Sequence, residues 1–146
     1  MTGPSSTHVA EIRELLEQRA AATRKKDLDG ATALFAHEVV TFDVVEPLLH
    51  VGVEAVRKRA GDWFATFDGP IGYELHDVRV AADDHVAFAS CLYQVSGTLQ
   101  SGDELGMWVR ATFCFHRIDG EWRITHEHDS VPFDPSTGQA SLDLAP

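Results

Sequence analysis

The chain has 146 residues, of which 44% are hydrophobic and 24% are charged. This composition predicts a single globular domain over 1–146 with a core that needs no disulfide or metal to fold. The 12 basic and 23 acidic residues give a formal net charge of −11. Because such a surface repels phosphate groups and anionic lipids, we expect no nucleic acid partner and no membrane association.

The sequence predicts a cytoplasmic protein. Residues 1–7 lack the basic and apolar segments of a signal peptide. No apolar run reaches the roughly 18 residues of a membrane span. Cys91 and Cys114 lie in predicted strands without the spacing of a zinc site or a redox motif. We expect two buried thiols in a reducing compartment, with a disulfide between neighbouring strands as the alternative.

The first half of the chain is predicted to be mostly helical. A helix over 7–26 is indicated by apolar residues at helical spacing, namely Val9, Ile12, Leu15, Leu16 and Ala20. Asp27 is expected to cap a short second helix that carries Ala31, Leu34 and Phe35. A β-branched run over 39–45 predicts a strand that Pro47 ends. A third helix follows Gly52 and is expected to break at Asp68-Gly69-Pro70.

The second half is predicted to form four strands, over 71–80, 85–97, 105–117 and 121–131. Asp119-Gly120 is the sequence of a tight hairpin turn between the last two. Residues 132–146 are expected to be an irregular tail. The pattern predicts an α+β fold in which a long antiparallel meander curls around three early helices. A bent sheet closed by helices at one end leaves a conical interior, where pockets arise.

Residues 26–52 carry a recognisable set of motifs. They comprise Asp27-Leu28-Asp29-Gly30, Ala33-Leu34-Phe35-Ala36, a strand ending in Phe42-Asp43, and Gly52. The set resembles ketosteroid isomerases and the SnoaL-like polyketide cyclases of the NTF2-like superfamily. The resemblance extends through the hairpin at 119–122. It implies a cone-shaped α+β barrel, with three N-terminal helices packed in a curved, mainly antiparallel sheet.

The resemblance places Asp43 where ketosteroid isomerases carry the carboxylate that moves a proton between two carbons. Those enzymes also need a tyrosine from the first helix and a protonated aspartate from a late strand. Here Arg19 falls at the tyrosine position, and Thr112 or Cys114 at the aspartate position. Since a lost oxyanion donor costs about 3–4 kcal/mol in other enzymes, the departure argues against steroid isomerase activity.

The last strand carries a second set of polar residues. SnoaL-like cyclases place a catalytic aspartate five residues after the isoleucine of this strand, a position that Asp129 occupies relative to Ile124. The pattern His126-x-His128-x-Ser130 also resembles the association domain of calmodulin-dependent kinases, which assembles oligomers and binds small ligands. The resemblance therefore implies both a catalyst and an assembly module.

Strand alternation predicts which of these side chains face the interior. A tight turn at Asp119-Gly120 pairs residues whose numbers sum to 239, which sets Phe113 opposite His126 and Arg110 opposite Asp129. On this register His126 and His128 continue the inner face, and Asp129 lies outside. A β-bulge near His128 would instead turn Asp129 inward, as the cyclase resemblance favours.

Two functions follow from these residues. The first is acid–base catalysis of the isomerase, cyclase or dehydratase type on a small apolar carbonyl or polyketide-like compound. Asp43 would be the general base and His126 or His128 its partner. Trp63, Tyr93, Trp108 and Asp129 are the candidate ligand-binding residues. The second is a non-catalytic ligand-binding or oligomerisation module. A homodimer is expected in both cases, and neither a cofactor nor a metal, because the His-x-His pair lacks a third ligand.

Overall fold

A computed structural model describes residues 4–146. Residues 1–3 belong to the predicted domain and to the segment predicted to lack a signal peptide, and they lie outside the described part. The helices are α1 Pro4–Arg24, α2 Leu28–Thr32 and α3 Val53–Ala65. The strands are β1 Phe35–Phe42, β2 His50–Val51, β3 Phe67–Ala82, β4 Val86–Leu99, β5 Glu104–Ile118 and β6 Glu121–Ser130. None of the helices described here is long and apolar enough to cross a lipid bilayer.

The six strands form one sheet in the order β2-β1-β6-β5-β4-β3. Neighbouring strands are antiparallel except β1 and β6, which are parallel. The sheet curls, but β2 and β3 remain its two edges, so it is not a closed barrel. The predicted α+β class and the curved, mainly antiparallel sheet are confirmed, whereas the expected barrel is an open sheet.

The core lies between the concave face of this sheet and α1. Ile12, Leu16 and Ala20 recur at helical spacing on α1 and are at most 2% exposed. They pack in one cluster with Phe113 and Phe115, which alternate along β5. Burial of several large apolar side chains, each contributing about 1.5–3 kcal/mol, fixes α1 against the sheet. The predicted helical face of α1 is therefore the one that is buried.

Several element boundaries differ from the sequence prediction, among them the end of α2 and the starts of β1 and β3. Asp27 does cap α2 by accepting a hydrogen bond from the amide of Gly30 at 3.1 Å, but α2 ends at Thr32, before the predicted Leu34 and Phe35. Phe35 instead opens β1 and pairs with Ile124 of β6, because sheet pairing buries this aromatic ring. The run at 68–70 lies inside β3, where the register with β4 shifts, and α3 has already ended at Ala65.

Candidate active site

An apolar cavity lies between the concave face of the sheet and the helices α1 and α3. Its volume is about 140 Å³, roughly ten times what one water molecule needs on the same measure. The walls are mostly aliphatic and aromatic, as in small-molecule sites. They include Val44, Val56, Trp63, Phe64, Val95 and Val109. The charged side chains and the tyrosines that line the cavity form three groups, described in turn below.

The first group is an ion pair between α1 and β6. Nη2 of Arg19 donates a hydrogen bond to Oε1 of Glu127 at 2.8 Å, and the two side chains are 13% and 7% exposed. The guanidinium also lies 5.3 Å from the ring centroids of both Phe35 and Phe113. Burial works to lower the pKa of Arg19, but the charge of Glu127 and other neighbours raises it above its usual value. Arg19 is therefore a permanent cation inside the cavity.

Asp129 adds a second carboxyl group beside that pair. Burial raises the pKa of Asp129 well above its usual value, and the charge of Glu127, a hydrogen bond with Glu127 and the charge of Asp43 raise it further. The nearby Arg19 opposes this rise only in part. Oδ1 of Asp129 is buried without a donor from the described residues, which a proton held between the two carboxyl groups would explain. One cation thus lies beside two carboxyl groups, and burial raises the pKa of Asp129.

The second polar group sits where β1 ends. Asp43 is the first residue after β1, and its Oδ2 accepts a hydrogen bond from Nε of Arg59 on α3 at 2.9 Å. Its Oδ1 accepts a hydrogen bond from the amide of Val44 at 2.7 Å. The two charged side chains are 20% and 26% exposed and line the same cavity as Asp129. The predicted orientation of Asp43 toward a pocket is therefore what the structure has.

The third polar group consists of two stacked tyrosines. Tyr73 of β3 and Tyr93 of β4 have ring centroids 4.7 Å apart and planes inclined by 29°. Both are less than a tenth exposed, and both line the cavity. Burial raises the pKa of each hydroxyl above its usual value, so both remain protonated at neutral pH.

A β-bulge in β6 decides which side chains reach the cavity. The predicted register holds from the turn to Phe115 opposite Ile124, but the next pair is Cys114 with His126. Thr125 is the extra residue, so the alternation of β6 reverses beyond it. Glu127 then lies opposite Phe113, and Asp129 lies opposite Ala111. Of the two alternatives for Asp129, the outer position from simple alternation is wrong. A bulge turns Asp129 inward, and it lies at Thr125, three residues before the expected His128.

The same bulge puts His126 and His128 on the outer face, so the prediction that they point into the pocket is wrong. Nδ1 of His126 lies 2.7 Å from the carbonyl oxygen of Val40, and His128 is exposed. Both rings meet the ring of Phe42 edge-on, at 4.7 and 5.3 Å between centroids. Among the residues that line the cavity, neither histidine occurs.

Three of the four predicted ligand-binding residues line the cavity, and one does not. Trp63 and Tyr93 line the cavity together with Asp129. Trp108 does not, because its neighbours Met107 and Val109 point inward and strand alternation turns Trp108 outward. Its ring instead meets that of His76 edge-on at 4.7 Å.

Four charged or tyrosine side chains of the cavity were not predicted from the sequence as site residues: Arg19, Arg59, Tyr73 and Glu127. Arg19 follows Leu16 by three residues and precedes Thr23 by four, which is the spacing of the buried face of α1. Tyr73 follows the buried Ile71 by two residues, the period of an inward-facing strand. These periods could have identified both. Arg59 and Glu127 carry no comparable signal, since charged residues on a helix and a strand end are usually solvated.

Neither Cys91 nor Cys114 lines the cavity. Cys91 is buried and Cys114 is half-buried, and both are free thiols. Burial, with Asp129 and Glu127 nearby, raises the pKa of Cys91 to about 12, so it is an inert thiol. Within residues 4–146, no group of three or more histidine, cysteine or acidic side chains is arranged to hold a metal ion.

Sequence comparison gives the family of this chain. The sequence model of the SnoaL-like domain matches residues 12–134. The chain belongs to the SnoaL-like family. Solved structures place this SnoaL-like protein in the NTF2-like superfamily, as the motifs predicted. No curated protein matches it.

One similar structure is an NTF2-like protein of unknown function from Pseudomonas putida KT2440, with 32% identity, a TM-score of 0.90, and coverage of 99% of this chain and 100% of that one. A candidate dehydratase of the NTF2-like family from Streptomyces avermitilis has 20% identity and a TM-score of 0.75, covering 86% and 97%. A candidate calcium/calmodulin dependent protein kinase II association domain from Xanthomonas campestris has 19% identity and a TM-score of 0.73, covering 92% and 88%. At these two lower identities the likeness concerns the fold alone.

Proposed function

We propose that this SnoaL-like protein catalyses acid–base proton transfer on a small, largely apolar carbonyl compound. The reaction is of the isomerase, cyclase or dehydratase type. The observation that carries the proposal is that two carboxyl groups in different surroundings line one apolar cavity. Asp43 is paired with Arg59, while burial beside Glu127 raises the pKa of Asp129 well above its usual value. A base and an acid with separated proton affinities are what such reactions require.

The chemistry follows from these two carboxyl groups. Asp43 takes the proton from the carbon next to the carbonyl group, and the electrons of the broken C–H bond form a carbon–carbon double bond as negative charge moves to the carbonyl oxygen. Asp129 supplies a proton to the oxygen that gains charge or departs. Glu127 and Arg19 hold Asp129 in place at the inner wall, and the apolar walls exclude water from the charged intermediate.

This assignment replaces the predicted histidine partner of Asp43 by Asp129. It keeps the proton-transfer role that the family resemblance implies for Asp43. It also agrees with the name of the Streptomyces avermitilis candidate dehydratase, a reaction that needs the same base and acid. The family match and the cavity support the proposal through different observations, one from sequence and one from geometry.

A test of this function uses β-tetralone, a small apolar ketone with acidic hydrogens next to its carbonyl group. The purified protein is incubated with the ketone in heavy water, and exchange of those hydrogens is followed by proton NMR. We expect exchange above the buffer rate, and a loss of at least about a hundredfold in Asp43→Asn. The exposed Asp68→Asn serves as the matched control and should keep the full rate. Full activity of Asp43→Asn, or no exchange by the wild type, would overturn the proposal.

We further propose that two copies of the chain associate through the outer face of the sheet. Phe88 and Phe42 on that face are 57% and 39% exposed, and a neighbour in fold is named as an association domain. Sedimentation should therefore give a dimer mass, and Phe88→Ser should shift the protein toward the monomer. A monomer at all concentrations would contradict this association and leave the catalytic proposal untouched.

A further inference from the structure

The cavity is lined by one more acidic side chain than basic side chains. Its charged residues are Asp43, Glu127, Asp129, Arg19 and Arg59. The guanidinium of Arg19 donates a hydrogen bond to Glu127. The guanidinium of Arg59 donates one to Asp43. Within the described part of the chain, Asp129 has no ion-pair partner of its own. The cavity therefore lacks one positive charge, and it lacks it at Asp129.

The three carboxyl groups lie together because β1 and β6 are neighbours in the sheet. Phe42, the last residue of β1, lies opposite His128 of β6. Asp43 and Asp129 are the next residues along the two chains, and neighbouring strands lie about 4.8 Å apart. The charges of Glu127 and Asp43 are accordingly among the causes that raise the pKa of Asp129. The acid without a cation is thus the one that has two other acids as neighbours.

The carboxyl group of Asp129 is buried without a donor. Its Oδ1 is buried, and no N–H group of the described residues donates a hydrogen bond to either of its oxygens. Burial and then the charge of Glu127 raise the pKa of Asp129, while Arg19 lowers it only in part. A carboxyl group responds in this way when it is desolvated and no cation compensates for the lost water. A proton on Asp129 therefore stands where a cation is missing.

The walls of the cavity suit an organic cation. The faces of aromatic rings attract positive charge, and the guanidinium of Arg19 already lies 5.3 Å from the ring centroids of Phe35 and Phe113. Trp63 and Tyr93 add two more rings to the walls. Tyr93 is 8% exposed, and its hydroxyl makes no hydrogen bond with another described residue. Its oxygen is therefore available as a further acceptor for a ligand N–H group.

We propose that the cavity binds a small, largely apolar primary amine as its ammonium ion, which donates a hydrogen bond to Asp129. The ammonium group takes the place of the proton on Asp129, and that proton passes to the solvent. Three cations then face three acids. The amine site goes beyond the proposed function, because it requires no turnover. An ionised Asp129 cannot supply the proton that the proposed reaction needs, so the bound amine is an inhibitor of that reaction.

The same charges disfavour an anionic ligand. Nε of Arg19 is buried without a partner, so this guanidinium keeps one donor that no described residue uses. A ligand carboxylate beside Arg19 would nevertheless become a fourth acid, next to Glu127 and Asp129. Like charges repel strongly where water is excluded. An ammonium ion instead meets the acid that lacks a cation and leaves the ion pair between Arg19 and Glu127 intact.

The test compares three ligands that share one ring system. 2-Aminotetralin carries an ammonium group at neutral pH, 2-tetralol carries a neutral hydroxyl group, and tetralin-2-carboxylate carries a negative charge. Calorimetric titrations at neutral pH, in two buffers with different ionisation enthalpies, give the affinity and the number of protons released. The wild type should bind the amine at least about tenfold more tightly than the alcohol and release close to one proton. The carboxylate should bind more weakly than the alcohol.

Asp129→Asn separates the ion pair from packing. The variant keeps the size of the side chain but cannot carry the charge, so the amine should lose its advantage over the alcohol and release no proton. An unchanged affinity for the alcohol shows that the cavity is intact. The exposed Asp68→Asn is the matched control and should behave as the wild type does.

Four results would each overturn the proposal. In the wild type they are equal binding of the amine and the alcohol, amine binding without proton release, and tighter binding of the carboxylate than of the amine. In Asp129→Asn the contradicting result is an undiminished preference for the amine over the alcohol. The three wild-type results do not depend on how well any variant folds.

The isotope-exchange assay distinguishes this proposal from the proposed function. Suppose that the amine binds with proton release while the protein does not exchange the hydrogens of β-tetralone. The amine site then stands and the proposed catalysis falls. Suppose instead that β-tetralone is exchanged while the amine binds no more tightly than the alcohol. The catalysis then stands and the amine site falls. Where both hold, the amine should slow the exchange in proportion to its occupancy of the cavity.

Discussion

Arg19 and Glu127 meet at 2.8 Å inside the cavity, a contact between the first helix and the last strand that joins residues 108 positions apart. Their side chains are 13% and 7% exposed, so neither charge is well solvated. Because an isolated buried charge is unfavourable, each residue depends on the other. Because Arg19 is paired with Glu127, the neighbouring Asp129 is a second carboxyl group without an ion-pair partner of its own. This is the basis of the acid role proposed for Asp129.

Removing the cation should destabilise the protein strongly. Arg19→Met leaves Glu127 buried without a partner and should lower the free energy of unfolding by about 3–5 kcal/mol in urea titrations. Lys58→Met is the matched control, because Lys58 pairs with Asp62 on the surface with its side chain 78% exposed. That change should cost less than about 1 kcal/mol. Similar losses in the two variants would contradict a buried ion pair at Arg19.

The raised pKa of Asp129 makes stability depend on pH. The folded protein holds a proton on Asp129 that the unfolded chain releases above about pH 4, so unfolding becomes more favourable as pH rises. The stability that this proton confers is complete below that pH and is lost as pH rises through the folded-state pKa. Asp129→Asn cannot lose a proton, so its free energy of unfolding should exceed that of the wild type at neutral pH.

The measurement is a series of urea titrations from mildly acid to mildly alkaline pH. The difference between Asp129→Asn and the wild type should grow as pH increases, since only the wild type carries the titrating group. Asp68→Asn, at an exposed position, should give a curve parallel to that of the wild type. A constant difference across the range would show that Asp129 does not hold its proton in the folded state.

The histidines of β6 should not affect proton transfer. His126 and His128 lie on the outer face of the sheet, away from the residues that line the cavity. His126→Ala and His128→Ala should therefore exchange the hydrogens of β-tetralone within about twofold of the wild-type rate, followed by NMR in heavy water. A loss of about a hundredfold in either variant, the effect expected for a general acid or base, would restore a histidine as the partner of Asp43.

Much of the fold could be predicted because local signals agree with the final packing. The apolar period of α1, the Asp27 cap and the turn at Asp119-Gly120 each depend on nearby residues. The end of α2 could not be predicted, since Phe35 leaves the helix in order to pair with Ile124 far along the chain. The intrinsic preference of a residue for helix or strand is weak compared with the free energy gained by burying its side chain in long-range contacts.

The site was harder to predict than the fold because a single extra residue reversed a strand. The bulge at Thr125 has no distinctive residue, yet it exchanges the facing of His126 and Asp129. Only the family resemblance, through the spacing of Asp129 from Ile124, favoured the inward position. Asp43 could be placed from its own motif because it directly follows β1.

The central claim is that one cavity holds Asp43 paired with Arg59 and a protonated carboxyl group at Asp129. NMR titration of isotope-labelled carboxyl carbons tests it without any substrate. At neutral pH we expect the Asp129 signal to have the chemical shift of a protonated acid. Asp129→Asn assigns the signal by its disappearance. An ionised Asp129 at neutral pH would contradict the account.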